Sequence, residues 1–336
     1  MNKFLKIIFL VSVFYIFPKC SKSDSAVTTV PIRDYATQYA TDISDIETYL
    51  KTHSITYDTA FNVTDYPVVA LGNASAIWNR ADLLSRTITA GGIDYKIYYL
   101  KLSAGTGQSP CSVDQILTAY RGVVLENVST TTVTPFDSNY NPQTFFGLEN
   151  VVRGWSEIFP QFKSGTVLTN SDGTYQYSGY GAGVMFLPSA LAYYSLSPST
   201  AIPSYSSLIF SFKLLAVNRL DQDGDGIPSY LEDIRGTTVG SVPDGYLTVL
   251  DDDTDGDGKP DYVDFDDDND NVLTKTEISY VNPLDPNHIL RYYPFSGVAI
   301  DNPLTPYVDE RQGVPDCALD YTTATRLRKY RDLNCH

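Results

Sequence analysis

The chain has 336 residues and a net charge of −16, from 40 Asp and Glu against 24 Lys and Arg. That length allows two domains, or one domain with sizeable extensions, and the lack of any basic patch argues against nucleic acid as a partner. Plentiful Tyr, Ser, Thr, Gly and Pro beside only 2 Met and 2 Trp suit a strand-rich exported protein rather than a helical cytosolic enzyme.

The predicted elements begin with an export signal. Lys3 and Lys6 precede the apolar run from Ile7 to Phe17, which is short for a membrane span. Cys20 follows, trailed by Ser21-Lys22-Ser23-Asp24. The arrangement resembles a bacterial lipoprotein signal, which implies that residues 1–20 direct lipid attachment at Cys20. The expected location is the bacterial cell envelope, as an outer-membrane lipoprotein facing the periplasm or the surface. An ordinary secretory signal with an incidental cysteine is the alternative reading.

Residues 21–93 read as an N-terminal extension. Ser21 to Pro31 is a polar tether, and Tyr35, Tyr39, Ile43, Ile46 and Leu50 recur at the spacing of an amphipathic helix. Residues 94–219 read as the main domain. Ile97 to Leu102 alternates like a strand and runs into Gly105-Thr106-Gly107 and Pro110. Ile116 to Tyr120 is a second strand. Val152, Trp155, Phe159 and Phe162 mark one face of a short helix that Pro160 ends or kinks. Ser207 to Val217 is a long apolar strand. Strands around one short helix give an antiparallel α+β domain.

Within that domain, Val151-Val152-Arg153-Gly154-Trp155 stands between Tyr120 and Phe136-Asp137 upstream and Tyr193, Ile202-Pro203 and Phe210 downstream. At these separations the residues resemble the active-site signature of the FKBP-type prolyl isomerases, over roughly Ile97 to Val217. The resemblance implies an FKBP-like antiparallel sheet wrapped on a short helix and peptidyl-prolyl cis-trans isomerase activity on proline-containing polypeptides. Trp155 would floor the pocket. Tyr120, Phe136, Val151, Val152 and Phe210 would wall it, with Phe145 or Phe146 contributing. Tyr193 would meet the substrate carbonyl through its hydroxyl, Asp137 would orient the pocket, and Ile202-Pro203 would supply a flap and one backbone amide. Tyr194 departs from the family, standing where a glycine usually follows the tyrosine, and Pro198 falls where some relatives carry a histidine. The loops Glu126 to Pro135 and Thr166 to Tyr180 are longer than usual. A binding module that grips proline segments without turnover is the alternative, as is a calcium-dependent surface protein.

Residues 220–278 change character. Residues 221–277 hold 18 of the 40 acids and only 3 of the 24 bases, so one short segment sets the charge of the whole chain. Asp221, Asp223, Asp225 and Glu232 fall at positions 1, 3, 5 and 12 of a D-x-D-x-D-G-x₅-E calcium loop. A second copy uses Asp253, Asp255, Asp257, Asp261 and Asp264. A third uses Asp266, Asp268, Asp270 and Glu277, with Asn271 in place of the glycine. Carboxylates this dense repel one another without a hard dication, so structural Ca2+ is expected. Gly226-Ile227-Pro228 and Gly258-Lys259-Pro260-Asp261 resemble thrombospondin type 3 repeats, which implies a loop-rich calcium clamp without a catalytic part. Residues 279–336 form a tail of unassigned role. Cys317 and Cys335 are close enough in sequence to clip it by a disulfide, while a zinc site with His288 and His336 matches no zinc spacing.

Overall fold

The structure is a computed structural model that describes residues 31–125, 135–232, 252–281, 286–295, 313–321, 323 and 325–335. The signal, Cys20 and the tether up to residue 30 lie outside the described residues, as does most of the loop from Glu126 to Pro135. No helix among the described residues is long and apolar enough to cross a membrane.

The first element is helix α1, Tyr35–Thr52. Asp34 caps it, accepting from the Thr37 amide at 2.8 Å. Two short strands follow, β1 (Thr56–Tyr57) and β2 (Val63–Asp65), paired with each other. The main sheet has seven strands. They are β3 (Leu83–Ala90), β4 (Ile93–Ala104), β5 (Gln115–Val124), β6 (Asp137–Asn139), β7 (Phe146–Gly147), β10 (Gly181–Leu187) and β11 (Leu208–Asn218), in the order β3-β4-β10-β11-β5-β6 with β7 also on β5. Every pairing in it is antiparallel. Helix α2, Arg153–Ile158, runs straight into a single tighter turn at Phe159–Gln161, where Pro160 prevents the α-helix from continuing. A separate hairpin joins β8 (Thr166–Thr169) to β9 (Tyr175–Ser178), so the long loop expected at 166–180 is mostly exposed strand.

Alternation along the strands sends side chains to two faces, and both faces are covered. On one side Tyr99, Met185, Leu187, Phe210, Phe212 and Leu214 pack against Trp155, Ile158, Phe159 and Phe162 of the α2 segment. On the other, Tyr98, Leu100, Val184, Phe186 and Ile209 pack against Ile46, Tyr49 and Leu50 of α1, with Val63, Tyr66 and Ile77 filling beside them. Polar ties fix both helices. Glu157, fully buried on α2, pairs with Arg86 of β3 and Arg153, both at 3.3 Å. Tyr98 of β4 donates to Glu47 of α1 at 2.9 Å.

Two expectations are corrected here. β3 is hydrogen-bonded to β4 from Leu83 to Ala90, so a boundary at residue 94 would cut through a hairpin of the main sheet. The sheet is also not wrapped on one short helix alone, because α1 covers its second face. Leaving that face open would expose an apolar surface too large for a folded domain to tolerate.

The acidic segment and the tail share a small core of their own, Ile227, Ile278, Val314 and Tyr330. Its regular elements are helix α3 (Thr274–Glu277) and the paired strands β12 (Ser279–Val281) and β13 (Leu290–Tyr292). Cys317 and Cys335 are joined by a disulfide, with Cα atoms 5.5 Å apart. The tail is therefore part of the same packed unit as the loops.

Candidate functional site

The aromatic constellation converges on α2. Trp155 is buried, and four rings stand edge-on to it: Tyr120 at 5.1 Å between centroids, Phe210 at 5.2 Å, Phe159 at 5.2 Å and Phe146 at 6.0 Å. Phe136 meets Phe210 edge-on at 5.5 Å. Edge-to-face packing sets the positive rim of one ring against the negative face of the next, which fixes their mutual angles. Val151, Val152 and Tyr193 are half-buried against the same cluster, and Ile202 is buried in it. Of Phe145 and Phe146, it is Phe146 that packs in the ring cluster. Its pairing opposite Ile116 turns it to the α2 face, while Phe145, one residue earlier, points out to solvent.

Tyr120 donates to Asp137 at 2.6 Å. Burial, reinforced by that carboxylate, pushes the Tyr120 phenol above its ordinary range, so it stays a hydrogen-bond donor. Tyr193 is raised in the same direction, chiefly by burial and secondarily by Asp137. The indole Nε1 of Trp155 is buried and meets no acceptor among the described residues. Leaving such a donor unmet costs about 1–3 kcal/mol. The Ile202 amide does not serve as expected. It donates to Ser199 at 3.1 Å within its own turn, because the turn closes on that bond.

The segment carrying Tyr193 and Ile202 is bolted to α1. Asp42, buried on α1, accepts from the Ser189 amide at 2.7 Å and its hydroxyl at 2.6 Å, while Gln38 donates to its other oxygen at 2.7 Å. Tyr194 has a φ of +52°, the left-handed geometry that suits a glycine. It is held there by stacking on Tyr35 at 4.1 Å and by donating to the Arg33 carbonyl at 2.6 Å. Neither Asp42 nor Tyr35 was among the predicted site residues. Their signal was only an acid on the buried face of an amphipathic helix. A shallow hollow, open to solvent, lies on the opposite face of the sheet between Phe61, Asn62, Arg121, Ser211 and Lys213. Of the predicted residues it touches Tyr120 alone.

The three acidic loops repeat one hydrogen-bond scheme. At position 6, Gly226, Gly258 and Asn271 all have positive φ, of 108°, 93° and 73°. Each donates its amide to the position-1 carboxylate, at 3.1, 2.9 and 3.1 Å. The position-7 amides of Ile227, Lys259 and Val272 donate to position 5 at 2.6, 2.8 and 2.7 Å. This brings together Asp221, Asp223 and Asp225, then Asp253, Asp255 and Asp257, then Asp266, Asp268 and Asp270, each set with carboxylate oxygens within 4.8 Å of one another. Such all-oxygen clusters suit a hard dication.

Position 9 closes each loop instead of joining its cluster. Ser229, Asp261 and Thr274 accept from the position-2 amides of Gln222, Thr254 and Asp267 at 3.1, 2.7 and 3.3 Å. Asp261 is therefore a loop-closing acceptor that also pairs with Arg331 at 3.3 Å, and it is not grouped with the second cluster. Asp264 is likewise directed elsewhere, to Lys259 at 3.2 Å. Glu232 and Glu277 are buried beside the first and third clusters, and both oxygens of each accept no hydrogen bond among the described residues.

Burial first, then the neighbouring carboxylates, raises Glu232 to about 10, Asp267 to about 9, Asp223 to about 8, Glu277 to about 8 and Asp225 to about 7.

A stretch of 133 residues, 39% of the chain, is 29% identical to the peptidyl-prolyl cis-trans isomerase Mip of Coxiella burnetii (strain RSA 493 / Nine Mile phase I). The chain spans 46% of that relative's length. Among solved structures, a peptidyl-prolyl cis-trans isomerase from Pseudomonas syringae pv. tomato str. DC3000 aligns with a TM-score of 0.33 and 16% identity, over 56% of this chain and all of the other. FkpA from Escherichia coli aligns with a TM-score of 0.32 and 20% identity, over 55% of this chain and 60% of its own. Residues 222–307 match the family model described as BamM C-terminal. The chain thus carries a region with sequence similarity to a peptidyl-prolyl isomerase, and a stretch that matches a family model of another description.

Metal-free protein should lose stability as pH rises. These five carboxyls hold protons more tightly folded than unfolded, so folding takes up protons. The stability they give is complete below about pH 4, the unfolded value, and is lost progressively as pH climbs through the folded values. Urea titrations in a chelator at pH 5 and pH 9 should place the midpoint lower at pH 9. An equal or higher midpoint at pH 9 would contradict the burial of these groups.

Proposed function

We propose that the chain is an exported peptidyl-prolyl cis-trans isomerase of the FKBP type, acting on X-Pro bonds in extended polypeptide. The observation that carries this reading is the ring cluster around Trp155, edged by the Tyr120–Asp137 pair and by Tyr193. Rotation about an X-Pro amide costs ~20 kcal/mol because it breaks resonance, and the twisted amide has less charge separation than the planar one. An apolar cleft therefore favours the twisted state, and that difference in binding is what accelerates the step. Few polar groups are needed. The Tyr193 hydroxyl is suited to hold the carbonyl before proline, and Asp137 keeps the Tyr120 ring in place. No proton leaves carbon, so the reaction needs no nucleophile and no cofactor.

The reading extends to the two ends of the chain. Cys20 would carry a lipid anchor in the bacterial envelope, and calcium in the three acidic loops would stiffen the C-terminal unit. The repeated loop scheme supports the calcium assignment, and the run from Lys3 to Asp24 supports the anchor.

An isomerase assay on proline tetrapeptides tests the activity. Tyr193→Phe should lower kcat/KM about tenfold, the equivalent of one hydrogen bond of roughly 1.4 kcal/mol. Trp155→Leu should lower it further, with the far-ultraviolet circular dichroism of both variants unchanged. Two folded variants that match wild type would refute the pocket. Calcium should raise the melting temperature over that in chelator, since a ligand preferring the folded state adds stability, and no shift would refute the clamp. Wild type expressed in a bacterial host should partition into detergent, and Cys20→Ser should not. Identical partitioning would refute the anchor.

A further inference from the structure

Two carboxylates of the first loop also meet one from the third loop that its calcium motif does not use. Asp225, Glu232 and Asp267 form a separate group whose oxygens lie within 4.8 Å of one another. All three side chains are buried, at 1%, 0% and 2% exposure. Asp225 and Glu232 sit at positions 5 and 12 of the first loop, but Asp267 sits at position 2 of the third, where the linear calcium motif places no ligand. The other loops carry Gln222 and Thr254 there.

The oxygens of this group are unmet. Glu232 Oε1 and Oε2, Asp225 Oδ2 and Asp267 Oδ2 are buried and accept no hydrogen bond among the described residues. The remaining Asp225 and Asp267 oxygens are used locally, by the Ile227 amide at 2.6 Å and the Thr274 hydroxyl at 3.2 Å. Arg331 is a buried cation beside the group, and its single charge does not balance three carboxylates. Its Nη2 donates to the Glu232 backbone carbonyl at 2.6 Å and pairs with Asp261 at 3.3 Å. Lys275 spends its ammonium on the Gly224 carbonyl at 2.8 Å. Three buried carboxylates with four unmet oxygens are costly unless a cation gathers them.

Resting on the proposal that the loops bind calcium, we infer that Asp225, Glu232 and Asp267 hold a further Ca2+ that bridges the first loop to the third. Oxygens on opposite sides of one calcium are separated by twice a bond of about 2.3–2.6 Å, which the 4.8 Å limit accommodates. Glu232 offers both oxygens, as a large and flexible ion accepts, whereas Mg2+ demands a tighter octahedron and keeps its waters. Asp225 then has one foot in each site, so the first loop and the bridge form a pair of ions sharing a carboxylate. The bridging ion ties residues separated by a long stretch of sequence and sits beside Arg331, which fastens the tail.

Calcium counted by elemental analysis after dialysis of the full chain tests this. Asp267→Ala should bind one ion fewer than wild type while retaining the loop ions and calcium-dependent stabilisation. Equal counts in the two proteins, with loop ions present, would overturn the bridge alone. A wild type that binds no calcium would overturn the loop reading and the bridge together. Should Asp267→Ala fail to fold, wild-type crystals soaked in Tb3+ decide the matter. An anomalous peak among Asp225, Glu232 and Asp267 is expected, and peaks confined to the three loops would refute the site.

Discussion

Burial of both faces of one antiparallel sheet governs the rest of the molecule. All seven residues of β10 are buried, which is possible only if something apolar covers each side. The α2 segment covers one face and thereby places Trp155 at the centre of the ring cluster. α1 covers the other, so the N-terminal segment is structural and no mere tether. Once α1 is docked, its polar residues become available for a second task. Asp42 receives Ser189, and Tyr35 and Arg33 receive Tyr194, so the helix behind the sheet fixes the loop that brings Tyr193 to the front.

That coupling explains how Tyr194 is tolerated where the isomerase signature has glycine. A left-handed backbone at a bulky residue costs of order 1–3 kcal/mol and persists when surrounding contacts determine it. Here a stacked ring, a hydrogen bond from the Tyr194 hydroxyl to the Arg33 carbonyl and one from the Tyr194 amide to the Ser189 carbonyl at 3.0 Å do so. The departure from the signature is therefore not a sign of a collapsed loop.

What could be read in the sequence depended on whether a periodic signal survived. α1 and the strand from Leu208 were legible because one has a helical apolar stripe and the other a continuous apolar run. β10 was not, since Gly181-Ala182-Gly183 dilutes its apolar run and full burial removes the alternation that marks a half-buried strand. Leu83 to Ala90 passed for part of an extension because its partner β4 is an edge only until β3 joins it. The ring positions were legible through residue type and spacing, but the choice between Phe145 and Phe146 required the register of β7. An acid at position 9 such as Asp261 has the chemistry of a ligand, and only the structure shows that it also closes its loop by accepting from the Thr254 amide.

The acidic segment also bears on the ring cluster by position. Gln222, at position 2 of the first loop, reaches out with its side chain to the Val113 carbonyl at 3.1 Å and to Glu149 at 3.4 Å. Beside it Arg219 pairs with Asp114 and lies 4.0 Å from the Tyr230 ring, over the small core formed by Cys111, Val113, Tyr230 and Tyr262. Leu148 donates to the Asp114 carbonyl at 2.9 Å, and Leu148–Asn150 is the turn that delivers Val151 and Val152 to the site. Charged carboxylates about 4 Å apart repel by roughly 4 kcal/mol near a protein surface, so the first loop cannot keep this shape at neutral pH with its acids ionised and uncompensated. Whatever neutralises Asp221, Asp223 and Asp225 therefore also decides whether Gln222 stays where it can brace the turn leading to α2. The proposed calcium would act on the ring cluster in this way, by holding one of its supports.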